Sequence, residues 1–69
     1  MTQNDKILRH LEQHGSITPL EAYERYGIMR LGARIYDLKR MGYKITGISV
    51  DGVNRCGERV RYARYTLEA

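Results

Sequence analysis

The sequence has little that could cross-link, anchor or enclose a large structure. Its 69 residues include one cysteine, Cys56, so an intramolecular disulfide is excluded. No apolar run has the length of a membrane span or a signal-peptide core, which predicts a soluble, cytoplasmic protein. Tryptophan and phenylalanine are absent, and six tyrosines supply the aromatic side chains. We expect one small domain over residues 1–69, without room for a separate catalytic domain.

The residue patterns of enzymes and metal sites are also missing. The sequence has no glycine-rich phosphate loop, no Ser-His-Asp order and no paired carboxylates with an obvious pocket. His10 and His14 have the i, i+4 spacing of some zinc sites, but no third ligand supports one. We therefore expect no enzymatic activity, metal or cofactor, and we expect both histidines to be exposed or half-buried structural residues.

Positive charge is concentrated in the second half of the chain. Residues 1–29 carry three basic and four acidic side chains, whereas residues 30–69 carry nine basic and four acidic ones, a net charge of +5. Such an asymmetry is typical of a phosphate-binding surface. The alternative is a basic surface that only keeps a small protein soluble.

The first half predicts two capped helices. Apolar spacing indicates a helix over about residues 3–14, with a capping oxygen at Thr2 and a stop at Gly15. A second helix over about 19–26 is indicated by Thr18 as the N-cap, Pro19 at the first helical position and Glu21 completing a capping box.

A third helix, over about residues 29–41, is the most informative segment. One face is apolar, with Ile28, Leu31, Ile35 and Leu38. Another face carries Arg30, Ala33, Arg34 and Asp37. A helix that packs by one side and presents guanidinium groups on the other fits the DNA major groove, where arginine donates a bidentate pair to guanine. Asp37 can accept from a cytosine amino group or hold Arg34 or Arg40 in position.

Strands follow the third helix. Alternation predicts strands over about 43–50 and 59–67, with a bulge or bend at Gly47 and a hairpin loop over 51–58. Ile17 could add a short third strand at the sheet edge. Three helices followed by a two- or three-stranded antiparallel hairpin give an α+β fold, the winged helix-turn-helix.

The chain resembles the small winged helix-turn-helix proteins common in phages and prophages. The resemblance covers most of the chain and lies in residues 16–22, Gly27-Ile28, Ala33-Arg34-Ile35, Asp37-Leu38 and Gly42-Tyr43. It implies binding of double-stranded DNA through the third helix, with the hairpin wing on an adjacent groove or backbone. The function it favours is sequence-specific transcriptional regulation in a phage or mobile element.

Six further basic side chains are assigned to the DNA backbone or, in the wing, to the backbone or the minor groove. Lys39, Arg40 and Lys44 lie where the helix ends and the strand begins, and Arg55, Arg59 and Arg61 lie around the wing. A single module of this size leaves specificity incomplete, so we expect a homodimer on a two-fold site or cooperation with a partner. The alternative function is a phage-encoded winged helix that binds and inhibits a host protein or nucleoprotein complex.

Overall fold

The helices form one layer and the strands another. The computed structural model describes residues 2–68. Its elements are α1 (Gln3–His14), β1 (Ser16–Ile17), α2 (Pro19–Tyr26), α3 (Leu31–Arg40), β2 (Ile45–Val53) and β3 (Arg59–Leu67). The strands form an antiparallel sheet in the order β1-β3-β2. The expected α+β class is confirmed, and Ile17 contributes the third strand.

Both early helices have the bounds and caps that the sequence predicts. The Thr18 hydroxyl accepts from the Glu21 N–H at 3.3 Å, while the Glu21 carboxylate accepts from the Thr18 N–H at 3.0 Å. Thr2 and Asp5 form the same reciprocal box at the start of α1. Each box satisfies backbone donors that have no partner within the helix. Both boxes therefore fix where their helices begin.

The third helix is shorter than the predicted range of 29–41. Arg30 has φ −115° and ψ 63°, outside helical geometry, and its carbonyl accepts the first two bonds of α3, from Ala33 and Arg34. No side chain caps this end, since arginine has no oxygen to offer. The helix therefore begins at Leu31, and Arg30 lies just before it. At the other end it stops at Arg40, with Met41 as the cap.

The wing also differs from the prediction of a first strand at 43–50 and a loop at 51–58. β2 begins at Ile45 and continues to Val53, so the hairpin turn is confined to residues 54–58. The Asn54 side chain closes the turn by accepting from the backbone N–H groups of Cys56 and Glu58, both at 3.0 Å. This side-chain turn needs fewer residues than the loop predicted from composition.

The bulge predicted at Gly47 is absent. Pairing of β2 with β3 is continuous, and Gly47 lies opposite Tyr65. A Cβ at Gly47 would lie 3.0 Å from the Tyr65 ring, and one at Gly52 would lie 2.7 Å from the Tyr62 ring. The two glycines therefore leave space for tyrosine rings of the neighbouring strand, which explains glycine inside a regular strand.

The core lies where α1 and α3 pack together and meet the sheet. Its fully buried apolar side chains come from all three helices, β1, β2 and the turn before α3: Ile7, Leu11, Ile17, Ala22, Ile28, Leu31, Ile35, Leu38 and Ile45. The same stripe of α3 that the sequence predicts as apolar is thus fixed against the rest of the protein. Its opposite side is left toward solvent.

His10 is buried, and the expectation of an exposed or half-buried residue was wrong. Only 1% of its surface is exposed, and its Nδ1 lies 2.8 Å from the Tyr26 hydroxyl at the end of α2. Burial, and then the neighbouring His14, lower the pKa of His10 below the ordinary 6.5. The hydrogen bond between His10 and Tyr26 therefore joins α1 to the end of α2 with an uncharged imidazole at neutral pH.

Candidate nucleic-acid interface

The outward face of α3 consists of four residues opposite the buried stripe. At about 3.6 residues per turn, they fall within an arc of about 100° centred away from the core. They are Ala33, Tyr36, Asp37 and Arg40. Tyr36 and Arg40 are exposed, whereas Ala33 and Asp37 are partly exposed. An α-helix is about 10–12 Å across with its side chains, which fits the roughly 12 Å width of the major groove.

Two of the four predicted base-contacting residues lie on this outward face, and two do not. Ala33 and Asp37 lie on it. Arg30 is exposed and lies before the first turn, at the end of the helix that usually meets base edges. Arg34 comes directly before buried Ile35 and lies at the flank of the apolar stripe. The two arginines remain one turn apart at the start of α3, because the Arg30 carbonyl accepts from the Arg34 N–H at 3.4 Å.

Arg34 is held by a neighbour on its own helix. Its Nη2 lies 3.3 Å from Asp37 Oδ2, with side-chain exposures of 32% and 38%. Within the described residues, its Nε is buried and has no hydrogen-bond partner. The ion pair restricts the guanidinium to the flank of α3, which is the positioning role that the sequence offered for Asp37.

Tyr36 is the residue that sequence reasoning missed. It is 61% exposed, and the Arg40 guanidinium carbon lies 5.8 Å from its ring centroid, within the range of a cation–π contact. The signal was present in the spacing, because Tyr36 lies three residues after Ala33 and four before Arg40. Arg40, which the sequence assigns to phosphate, shares this outward face.

Other basic side chains lie near the C-terminal end of α3 and in the wing. Lys39 and Lys44 are exposed near the junction of α3 with β2. Arg55 is exposed in the hairpin turn, and Arg59 and Arg61 are exposed on β3. Arg61 Nε lies 3.2 Å from Asp51 Oδ1 on the facing strand, with both side chains more than 70% exposed.

The alternation of β3 divides its arginines between two faces of the sheet. Arg59 and Arg61 share the register face of Tyr65 and Leu67, which pack against the core. Arg64 is exposed on the opposite face, across from Ile48. Arg59 and Arg61 of the wing therefore share the face of β3 that packs against the core further along the strand, and Arg64 does not. Arg55 lies in the turn, outside this alternation.

Within residues 2–68, no group of three His, Cys, Asp or Glu side chains is placed to hold a metal ion. Cys56 is exposed in the turn. None of the helices in this part of the chain is long and apolar enough to cross a membrane.

Comparison with known proteins defines the class. The family model of the winged helix-turn-helix domain matches residues 2–69. The chain therefore belongs to the winged helix-turn-helix domain family, whose members typically bind DNA and are typically not enzymes. The match is to the domain class and contains nothing specific to phages or prophages. No curated protein and no solved structure matched the chain in the same comparisons.

Proposed function

We propose that this protein binds double-stranded DNA in a sequence-dependent way and acts as a transcriptional regulator. In this proposal α3 enters the major groove and the wing lies on the adjacent backbone or minor groove. The observation that carries it is the outward face of α3, whose residues are exposed or partly exposed while the opposite face is buried in the core. The concentration of basic side chains in residues 30–69 supports it.

The residues proposed to contact bases are Arg30, Ala33, Arg34 and Asp37. Arg30 and Ala33 are accessible from the groove side of α3, which favours direct contact. Arg34 and Asp37 act as a pair in this proposal, because their ion pair fixes the guanidinium at one flank of the helix. A bidentate contact from such a restrained arginine loses less side-chain entropy on binding.

The residues proposed to contact the backbone surround this helix. They are Lys39, Arg40 and Lys44 at the end of α3, and Arg55, Arg59 and Arg61 in the wing. Contacts of this kind fix the register of a protein on the duplex and make its affinity depend on salt. Arg40 can serve both groups because it also lies on the outward face of α3.

The proposed function includes a biological setting and an oligomeric state. Regulation in a phage or mobile element is supported only by the sequence resemblance. Binding as a homodimer to a two-fold site is supported by interface size, because one module buries only about 600–1,000 Å² on DNA. Neither changes which residues face the duplex.

Selection of bound duplexes from a random pool tests the proposal. Sequence-dependent binding predicts enrichment of one motif, and a homodimer predicts two inverted copies at a fixed spacing. Recovery of random sequences with salt-sensitive affinity would mean that the basic surface binds DNA without reading it. If no duplex is retained at moderate salt while a host protein binds the outward face of α3, the alternative function would hold, in which the protein binds and inhibits a host protein or nucleoprotein complex.

A further inference from the structure

We propose that Tyr36 and Ala33 form an apolar contact surface that reads the C5-methyl group of thymine, and that Arg40 positions the Tyr36 ring. This inference deepens the proposed function and rests on it. It names thymine as the base that these residues of α3 contact. The structure shows no contribution of Tyr36 to the core formed by the described residues.

The first argument is the position of Tyr36. Its side chain is 61% exposed on a helix whose core contacts are made by Leu31, Ile35 and Leu38. It therefore adds little to the core, and it lies at one edge of the outward face, about halfway along the helix. Ala33, one turn earlier on the same face, is partly exposed and adds a methyl group beside it.

The second argument is the chemistry of the groove. Among the base edges in the major groove, the thymine methyl is the apolar group, and apolar side chains such as alanine and aromatic rings contact it. The remaining groups are hydrogen-bond donors and acceptors, which arginine and aspartate recognise. Around the helix this face runs in the order Tyr36, Arg40, Ala33, Asp37. Ala33 and Tyr36 are also neighbours at i, i+3, so the face carries an adjacent apolar pair with the polar side chains of Arg40 and Asp37 beside it.

The third argument is the restraint on the ring. The Arg40 guanidinium lies 5.8 Å from the Tyr36 ring centroid and four residues further along the helix. Such a contact limits the rotamers of an exposed tyrosine before binding, so less entropy is lost when the ring meets a base. Arg40 would retain free N–H groups for a phosphate while its guanidinium remains near the ring.

The test replaces thymine by deoxyuridine, one position at a time, in a duplex that the protein has been shown to bind. Deoxyuridine pairs as thymine does but lacks the methyl group. We expect at least one position where this change weakens binding about fourfold, the equivalent of about 0.8 kcal/mol for one buried methyl group. At that position, Tyr36→Ala should bind the two duplexes with equal affinity, and Tyr36→Phe should keep the discrimination.

The matched control is Tyr23→Ala, which removes another exposed tyrosine, 56% exposed, from α2. It should keep the fourfold discrimination. Arg40→Ala should reduce the discrimination as well as the affinity, whereas Lys39→Ala should reduce affinity alone. Thermal melting of each variant confirms that it is folded, because an exposed substitution changes stability little.

Results that contradict the thymine contact can be distinguished from a failure to bind DNA at all. The inference is wrong if the protein binds a selected duplex but no thymine position depends on Tyr36. It is also wrong if Tyr36→Ala weakens both duplexes equally, because Tyr36 would then contact the backbone. If the parent protein binds no duplex at all, duplex binding itself fails and the thymine assignment fails with it.

Discussion

Replacing Arg59 and Arg61 together by alanine should weaken binding to every duplex while leaving the base preference unchanged. Both side chains are exposed on β3 and lie outside the buried core, so the fold should tolerate the change. Arg61 pairs with Asp51, but an ion pair this exposed contributes at most about 1 kcal/mol to stability. The expected effect is therefore on phosphate contacts.

The magnitude follows from counterion release. Each phosphate contact contributes about 0.9 to the slope of log affinity against log salt, so losing two contacts should make the slope shallower by about 1.8. Between about 50 and 200 mM salt, the factor by which affinity falls should then be about tenfold smaller for the double variant than for the parent protein. Fluorescence anisotropy with a labelled duplex measures both slopes directly.

Arg64→Ala provides the matched control on the same strand. It removes the same charge from the opposite face of the sheet, so its salt slope should equal that of the parent protein. Equal slopes for the double variant and the parent would refute a wing that touches DNA. If Arg64→Ala changes the slope by half as much as the double variant does, net charge decides the affinity, and the face of the sheet that carries the arginine does not.

Three further predictions concern the fold and its charges. Thr18→Ala should lower the free energy of unfolding by about 0.5–2 kcal/mol through loss of the α2 cap, and an unchanged melting temperature would contradict this. Because the pKa of buried His10 is lowered, the unfolded chain binds a proton at higher pH than the native protein does. The contribution of His10 to the free energy of unfolding should therefore be fully present above 6.5, its pKa in the unfolded chain, and should be lost as the pH falls below it. His10→Gln should weaken this pH dependence, as measured by urea titrations on both sides of that pH. A pH dependence identical in the variant would show that His10 is not its origin. Asp51→Asn should leave the melting temperature nearly unchanged and raise duplex affinity by freeing Arg61, and unaltered affinity would indicate that Arg61 does not contact phosphate.

Helix ends were predictable where a side chain fixes them. Thr18 and Glu21 are three residues apart and satisfy each other's backbone groups, so local sequence alone determines where α2 begins. Arg30 offers no such oxygen, and the start of α3 is set by packing of Leu31 against the core. The predicted start was therefore two residues early.

The wrong prediction of a bulge in the wing arises from a contact between strands. Gly47 resembles a bulge when read locally, but its partner Tyr65 lies 18 positions away and needs the space. His10 was misjudged for the same reason, because its partner Tyr26 belongs to another helix. Neither contact leaves a periodic signal in the chain.

The outward face of α3 was predictable from the sequence in its position and less so in its members. The apolar spacing of α3 fixed the buried face, and hence the face toward solvent. The prediction of base contacts relied on charge. It therefore included Arg34 and omitted Tyr36. The structure places Arg34 at the flank, paired with Asp37, and exposes the Tyr36 ring beside Arg40.

The central claim is that DNA meets the outward face of α3 and the wing, and titration of the isotope-labelled protein with a selected duplex tests it most directly. Amide and methyl resonances should shift over residues 30–40 and in the wing over residues 51–61. The exposed residues Glu12 and Gln13 of α1 and Ile48 on the opposite sheet face should remain unchanged. Shifts centred on α1 or on the face of Ile48, with α3 unaffected, would contradict the account.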